Sequence, residues 1–210
     1  MIRTVIAEDN RYMANHLENM IADAEGFTLV ASYADAFEAE REAISGRADL
    51  VLMDVQTLHN HSGLAAGQRI RAAGKGVKVV IVTSLIDPEV LSVARAGAAD
   101  SLWYKDHGRE DLLDVIRRTM KGERIFPDVS PNVEIKQMFS RDISPRQMDI
   151  LRRFVKGMTY DEIAADLKLS RNGVRWNLDQ IVEKGGFANK HEMLAAVIES
   201  KLIVTTLEEE

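Results

Sequence analysis

The chain has 210 residues, 46% of them hydrophobic and 29% charged, which indicates two folded domains and excludes a disordered chain. It has no cysteine, which excludes disulfides and thiolate metal sites, and no apolar run long enough to span a bilayer. The net charge of −6 excludes nucleic-acid contact over the whole surface, but residues 143–207 carry 10 Lys or Arg against 8 Asp or Glu. Any polyanion contact is therefore expected there. Because MIRTVIAEDN at the start lacks a signal-peptide core, we expect a soluble, cytoplasmic protein.

Residues 1–122 alternate short apolar runs with longer segments in which apolar residues recur at helical spacing, such as Met13, Leu17 and Ile21. The short runs are rich in Val, Ile and Leu and predict buried strands. The predicted strands are Thr4–Ala7, Phe27–Ser32, Leu50–Met53, Val77–Val82 and Leu102–Tyr104. Five strands that alternate with helices predict an α/β fold, a doubly wound, five-stranded parallel sheet with helices on both faces.

Residues 123–143 interrupt this alternation with prolines, and we interpret them as a linker with a short helix around Val133–Phe139. Residues 144–207 have a helical pattern throughout, which predicts a small all-α domain. Its helices should begin at hydroxyl residues that cap the backbone, and the first two of these have Gln or Glu three residues later. The predicted starts are Ser144, Thr159 and Ser170.

Polar side chains follow four of the predicted strands. They are Glu8 and Asp9 after the first, Asp54 after the third, Thr83 after the fourth and Lys105 after the fifth. The carboxyl ends of parallel strands meet at one edge, so these groups should converge. Three carboxylates repel one another unless a cation neutralises them, and hard oxygen ligands with open positions suit Mg²⁺.

This set predicts a metal-assisted phosphoryl site. Asp54 would attack the phosphoryl group, Lys105 would balance the charge on its oxygens, and the Thr83 hydroxyl would hydrogen-bond one of them. Each residue also has a simpler interpretation, since an Asp after a strand often caps the next helix and a lone Thr or Lys is usually solvated. Four such groups after the correct strands favour the phosphoryl site.

With these residues, segment 1–122 resembles the receiver domain of two-component signalling. The resemblance implies that Glu8 and Asp9 are the acidic metal-binding pair, that Asp54 is the phosphoacceptor and that Thr83 and Lys105 are the family's switch hydroxyl and lysine. It also implies that the backbone carbonyl of Gln56 contacts the metal.

The segment after Asp54, VQTLHNHSG, departs from the family pattern. Leu58 stands where the family usually has proline, and Gly63 follows the acceptor by nine residues rather than eight. The geometry of this loop is therefore expected to differ. His59 and His61 lack clear further ligands at suitable spacing, so we interpret them as solvated loop residues and not as a transition-metal site.

The segment GMTYDEIAADLKLSRNGVRWNLDQIVEK predicts two helices separated by a tight turn at Lys168–Ser170. Their buried faces are marked by Ile163, Ala164 and Leu167, and by Val174, Leu178 and Ile181. This is a helix-turn-helix layout whose second helix would lie in a major groove. The outward residues that could contact DNA are Arg171, Asn172, Arg175, Trp176 and Asn177. The alternative is a helical hairpin whose charges are merely solvated.

Residues 144–203 resemble the LuxR-type DNA-binding domain through SPRQMDIL, GMTYDEIAADL and SRNGVRWN. Three features depart from it: Asn172-Gly173 replaces a frequent Lys-Thr, Asn177 a frequent His, and Asp179 a basic or neutral residue. Gly173 in a helix costs up to about 1 kcal/mol relative to Ala, so this helix is expected to be less rigid until bound.

The order of the two segments is that of the NarL/FixJ class of response regulators. The resemblance implies a transcriptional regulator that a sensor histidine kinase phosphorylates on Asp54 and that binds double-stranded DNA as a homodimer. It would not be an enzyme, apart from slow autodephosphorylation.

Two alternatives are weighed against it. One is a phosphorylation-independent DNA-binding protein that uses the receiver for dimerisation. Two departures support it: the unusual loop 55–63, and Leu102, which stands where the family usually has an aromatic switch residue, unless Trp103 or Tyr104 replaces it. The other is an aspartyl-phosphate phosphatase, but Gln56 stands where such an enzyme needs a second Asp as general acid.

Overall fold

A computed structural model of the protein describes residues 1–106, 108 and 111–203, which form two compact units. The first unit is built mainly from residues before Ser130 and the second mainly from residues after it. The predicted end of the second domain, residues 204–207, and the Glu tail 208–210 lie outside the described residues. Within the described ranges, no helix combines the length and the apolar character needed to cross a bilayer.

The first unit alternates strands with helices. Its strands are β1 (Ile2–Ala7), β2 (Phe27–Tyr33), β3 (Leu50–Met53), β4 (Lys78–Thr83) and β5 (Ser101–Tyr104). Its helices are α1 (Arg11–Asp23), α2 (Ala36–Ile44), α3 (Gly63–Ala72), α4 (Pro88–Val93) and α5 (Leu112–Met120). The strands form one parallel sheet in the order β2-β1-β3-β4-β5. The predicted fold is confirmed, and each predicted strand lies within two residues of its observed ends.

The core of this unit occupies both faces of the sheet. Leu52 and Val80 pack with Leu17 of α1 and Ile116 of α5 in one apolar cluster. Successive strand residues point to opposite faces, and those next to the cluster members, such as Val51, are fully buried as well. Helices therefore cover both faces, and the open edge at the carboxyl ends of the strands is left for polar residues.

The loop between β3 and α3 is one residue longer than the receiver pattern that it resembles, and one tight turn accommodates this residue. Residues Leu58–Asn60 form a 3₁₀ turn in which His59 and Asn60 both have a φ of 60°, in the left-handed region. Gly63 then donates its N–H to the Val55 carbonyl at 2.9 Å. A Cβ at Gly63 would lie 1.8 Å from the Asp54 carbonyl oxygen, so only glycine fits there.

The second unit begins with a hairpin where a helix was expected. The helix predicted around Val133–Phe139 is wrong, because β6 (Glu134–Ile135) and β7 (Met138–Phe139) form an antiparallel pair. Lys136 has a φ of 57°, which reverses the chain and which a right-handed helix cannot contain. The turn leaves Ile135 and Met138 paired and buried.

Among the described residues up to 203, the hairpin is followed by the α-helices α6 (Pro145–Val155), α7 (Tyr160–Leu167), α8 (Arg171–Gly185) and α9 (Lys190–Glu199). The predicted starts are confirmed, since Ser144, Thr159 and Ser170 each accept a backbone N–H of the first turn. Lys168, with a φ of 53°, ends α7 and allows the tight turn into α8. The buried core includes Ile150, Leu151, Ile163, Val174, Leu178 and Val197.

Candidate functional site

An acidic pocket lies at the carboxyl edge of the sheet, as the strand ends require. Ala7 and Met53 are partners in the β1–β3 ladder, so Glu8 and Asp54 follow adjacent strand ends. The Asp54 N–H is bonded to the Ala7 carbonyl at 2.9 Å, which fixes its backbone. Ligand atoms of Glu8, Asp9 and Asp54 all lie within 4.8 Å of one another. The structure thus brings the three predicted carboxylates together.

Lys105 lies inside this pocket. Its N–H is bonded to the Thr83 carbonyl at 2.9 Å, which places the side chain beside the β1 and β3 ends. Its Nζ donates to Glu8 Oε2 at 2.5 Å and to Asp54 Oδ2 at 2.6 Å, with only 6% of the side chain exposed. Asp54 also accepts a hydrogen bond from the Thr83 hydroxyl. The predicted acceptor, hydroxyl and lysine therefore form one hydrogen-bonded group.

The pocket holds more negative than positive charge. Burial raises the pKa of Asp54 above its ordinary value, and burial together with the Asp54 charge raises the pKa of Glu8. Burial lowers the pKa of Lys105, but the two adjacent carboxylates outweigh it and raise that pKa overall. One ammonium group cannot neutralise three carboxylates. The exposed Asp9 leaves the pocket open on one side, so its oxygen donors fit a divalent cation that retains water, such as Mg²⁺.

Gln56 lies in the loop two residues after Asp54. Gln56 lies opposite Ser62 in a short antiparallel pairing of the loop. The two hydrogen bonds of this pairing run from the Gly63 N–H to the Val55 carbonyl and from the Thr57 N–H to the His61 carbonyl. Neither bond uses a backbone group of Gln56. This leaves the Gln56 carbonyl outside the bridge, as a metal contact through that oxygen requires.

Two aromatic residues, Trp103 and Tyr104, follow Leu102 in β5. Leu102 is buried. Trp103 packs against the apolar cluster that contains Leu17 of α1 and Ile116 of α5, and against Gly108. Tyr104 is also buried and is the partner of Thr83 in the β4–β5 ladder. Of the two candidate rings, Tyr104 is therefore the one beside the hydroxyl residue.

The outward face of α8 carries the predicted DNA-contact residues. Arg171, Asn172, Arg175 and Trp176 are exposed, with 60% of Trp176 accessible. Asn177 is half-buried, and its Nδ2 donates to the Gly173 carbonyl at 2.8 Å, so its amide is partly used within the helix. The structure therefore presents four of the five residues on an open surface.

The arginines of α8 already have acidic neighbours. Arg171 Nε lies 3.3 Å from Asp161 Oδ1, and Arg175 Nε lies 3.5 Å from Asp179 Oδ2. Asp179 also pairs with Lys190 of α9, and that hydrogen bond holds the pKa of Asp179 below its ordinary value. Asp179 is thus ionised at neutral pH, and a phosphate would compete with it for Arg175.

A second group of polar side chains lies near the β3–α3 loop. Asp35, the N-cap residue of α2, is within hydrogen-bonding distance of both His59 and His61. The sequence does not connect Asp35 with His59, because 24 residues separate the two. The available signal was its position shortly after β2, at the same edge of the sheet as Asp54.

Comparison with known proteins assigns both halves of the chain. Residues 4–117 match the response regulator receiver domain, and residues 141–196 match the luxR family of bacterial regulatory proteins. The chain is 31% identical over 204 residues to the transcriptional regulatory protein YvfU of Bacillus subtilis, covering 96% of this chain and 98% of YvfU. It is 26% identical over 216 residues to the oxygen regulatory protein NreC of Staphylococcus aureus, covering 96% and 99% of the two chains.

Solved structures show the same fold. RcsB of Salmonella enterica serovar Typhimurium, bound to promoter DNA in the presence of phosphomimetic BeF₃⁻, superposes with a TM-score of 0.62 at 18% identity, over 93% of this chain and 97% of that chain. Two RcsB dimers bound to two parallel DNAs give a TM-score of 0.60 at 18% identity, over 94% and 98%. The protein belongs to the two-component response regulators that join a receiver domain to a LuxR-type DNA-binding domain, and it is a transcriptional regulator.

Proposed function

We propose that a sensor histidine kinase phosphorylates this regulator on Asp54 and that it then acts on double-stranded DNA through α8, as a homodimer. Residues 1–122 would be the receiver, 123–143 the linker and 144–207 the DNA-binding domain. The single observation that carries the proposal is the Lys105 ammonium held between Asp54 and Glu8 inside the pocket. The RcsB dimers bound to DNA support the dimer.

The chemistry follows from the position of these side chains. A carboxylate oxygen of Asp54 attacks the phosphorus of a phosphohistidine, forming a P–O bond as the P–N bond breaks and the imidazole leaves. Lys105 releases Asp54 and binds a phosphoryl oxygen, while the Thr83 hydroxyl donates to another. Glu8, Asp9, Asp54 and the Gln56 carbonyl would hold Mg²⁺, which neutralises charge on the transferred group when bound. The amide of Gln56 cannot act as a base to activate water for attack on the phosphoryl group, so autodephosphorylation should be slow.

The proposed DNA contact predicts the effect of Arg175→Ala. If Arg175 binds a base through two hydrogen bonds, the variant should bind operator DNA about 1–3 kcal/mol more weakly. If it binds phosphate, the loss should be uniform across sequences and the salt dependence of binding should decrease. Fluorescence anisotropy over a salt titration distinguishes the two. The matched variant Asp179→Asn removes the carboxylate that pairs with Arg175, and it should bind DNA more tightly. Unchanged affinity in both variants would show that another face of α8 contacts DNA.

Phosphorylation should change the DNA affinity of this protein only modestly. Leu102 is aliphatic and buried, so the inward movement of an aromatic ring at that position is not available. A phosphoryl group shifts a conformational equilibrium only through its differential contacts with the two states. We therefore expect phosphorylation to increase DNA affinity by about tenfold or less, equivalent to roughly 1.4 kcal/mol.

One experiment tests both the expected tenfold limit on the affinity change and the proposed function as a whole. The full-length protein is used to select fragments from a genomic DNA library, with and without the kinase and its phosphodonor. Operator affinity is then measured for the phosphorylated protein, the unphosphorylated protein and Asp54→Asn at fixed salt. Failure to enrich any fragment would contradict DNA binding. If the phosphorylated protein, the unphosphorylated protein and Asp54→Asn bind the operator with equal affinity and are all dimers, the result would favour the phosphorylation-independent alternative. A gain of a hundredfold would show strong switching, for which Tyr104, the partner of Thr83, is the first candidate.

A further inference from the structure

A group of metal-ligand side chains lies outside the acidic pocket. It consists of Asp35 after β2 and of His59 and His61 in the β3–α3 loop. One ligand atom from each residue can be chosen so that all three lie within 4.8 Å of one another. None of these residues belongs to the phosphoryl chemistry of Asp54, so the group requires its own explanation.

The two imidazoles converge on opposite oxygens of one carboxylate. His61 Nδ1 lies 2.6 Å from Asp35 Oδ1, and His59 Nδ1 lies 3.1 Å from Asp35 Oδ2. Only 13% of the Asp35 side chain is exposed, and its Oδ1 also accepts the Phe37 N–H at 2.9 Å. The carboxylate is thus fixed at the N-terminus of α2, while both rings present the same type of nitrogen to it.

The backbone of the loop is joined directly to the start of α2. The Thr57 hydroxyl donates to the His61 carbonyl at 2.8 Å and accepts the Ala36 N–H at 3.0 Å. The Leu58 N–H is bonded to the Ala34 carbonyl at 2.9 Å. The left-handed backbone of His59, together with that of Asn60, then returns the chain so that His59 and His61 are on the same side. The backbone that carries the three side chains is therefore held in place by the fold before any ion binds.

The donor set identifies the class of ion. Two imidazole nitrogens and one carboxylate oxygen suit Zn²⁺ and similar transition metals, whereas Mg²⁺ and Ca²⁺ prefer oxygen donors. A tetrahedral Zn²⁺ with bonds of about 2.0 Å has ligand atoms about 3.3 Å apart. The distance from His59 Nδ1 to Asp35 Oδ2 is 3.1 Å, close to this value, whereas His61 Nδ1 lies 2.6 Å from Asp35 Oδ1 and must move away from the carboxylate as the ion enters. His59 is 68% exposed and His61 38%, so water can reach the remaining coordination position.

We propose that Asp35, His59 and His61 bind one Zn²⁺ per chain, with a water as the fourth ligand. Each imidazole carries its proton on Nε2 and gives its Nδ1 lone pair to the ion. The ion replaces the two hydrogen bonds that Asp35 now accepts from the rings. Zn²⁺ thereby joins the β2–α2 connection to the loop that follows Asp54, which gives the receiver a second metal site with different ion selectivity.

Isothermal titration calorimetry of the untagged, full-length protein tests this site. The titration of Zn²⁺ is carried out in a large excess of Mg²⁺, so that Mg²⁺ competes with Zn²⁺ for the oxygen donors of the acidic pocket. We expect one Zn²⁺ per chain, and a loss of affinity of about 100-fold or more in the double variant His59→Gln, His61→Gln. Asp35→Asn should also weaken binding, although its amide oxygen can still cap α2.

Two controls make the result specific. His16 and His191 are exposed histidines on α1 and α9, and the double variant His16→Gln, His191→Gln should bind Zn²⁺ as the native chain does. Circular dichroism of every variant without metal establishes that the fold is retained. Replacement of Zn²⁺ by Co²⁺ gives a second readout, since tetrahedral coordination produces intense visible absorption that the His59, His61 variant should lack. Absence of Zn²⁺ binding to the native chain, or equal binding by the His59, His61 variant, would overturn the proposal.

Discussion

Incubation with a small phosphodonor and Mg²⁺ should label the native chain on Asp54 and leave Asp54→Asn without label. Asn has the same shape as Asp but lacks the anionic oxygen that attacks phosphorus. Its amide also cannot balance Lys105, whose Nζ is bonded to Asp54 at 2.6 Å. The loss should therefore be complete rather than graded. Mass spectrometry of the intact chain and of its peptides measures the label and its position.

The control for this experiment is a second Asp that lies outside the pocket. Asp23 is exposed at the end of α1, and Asp23→Asn should be labelled as the native chain is. Omission of Mg²⁺ should strongly reduce labelling, because Glu8 and Asp9 then leave negative charge beside the incoming phosphoryl group. Equal label on the native chain and on Asp54→Asn would show that another residue is the acceptor.

Replacement of Gly63 by Ala should have the largest effect on stability. A Cβ there would lie 1.8 Å from the Asp54 carbonyl oxygen and 2.8 Å from Met53 Cγ. Atoms that are not bonded to each other do not approach this closely. The start of α3 must therefore move away from β3, and the hydrogen bond from the Gly63 N–H to the Val55 carbonyl must lengthen. We expect the free energy of unfolding of this domain to fall by about 3 kcal/mol or more, the upper range for overpacking.

The two tryptophans allow the domains to be followed separately. In a Trp176→Phe background, Trp103 is the only tryptophan, so fluorescence during urea unfolding reports on the first unit. Gly173→Ala is the matched control, since its Cβ would come no nearer than 3.2 Å to another residue, at the Ser170 hydroxyl. It should leave the Trp103 transition unchanged. An unchanged midpoint for Gly63→Ala would mean that the loop has room for a side chain.

Much of the fold could be predicted because it depends on local patterns. The apolar period defined the five strands, and hydroxyl caps such as Ser144 and Thr159 defined the helix starts. The parallel order then placed Asp54 and Lys105 together without any knowledge of distances. These signals are short in range and repeat along the chain, so one sequence is enough to find them.

The features that were missed depend on the path of individual loops. The hairpin at Lys136 was interpreted as a helix, because the left-handed backbone of a single lysine has no signature in the sequence. Asp35 was not connected with His59, because their distance depends on how a tight turn folds back toward α2. Neither the backbone conformation of one residue nor the return direction of a turn follows from hydrophobic period or composition.

The ion pairs around Asp179 have a consequence for the time that this protein spends on DNA. Asp179 lies between Arg175 and Lys190 and cancels part of the positive charge on that side of α8. Attraction to phosphates provides most of the affinity for random sequences, and the genome offers a great excess of such sites. If α8 contacts DNA as proposed, a face with a built-in carboxylate dissociates sooner from random sequence. The protein then loses general affinity but samples more of the chromosome before it reaches its operator.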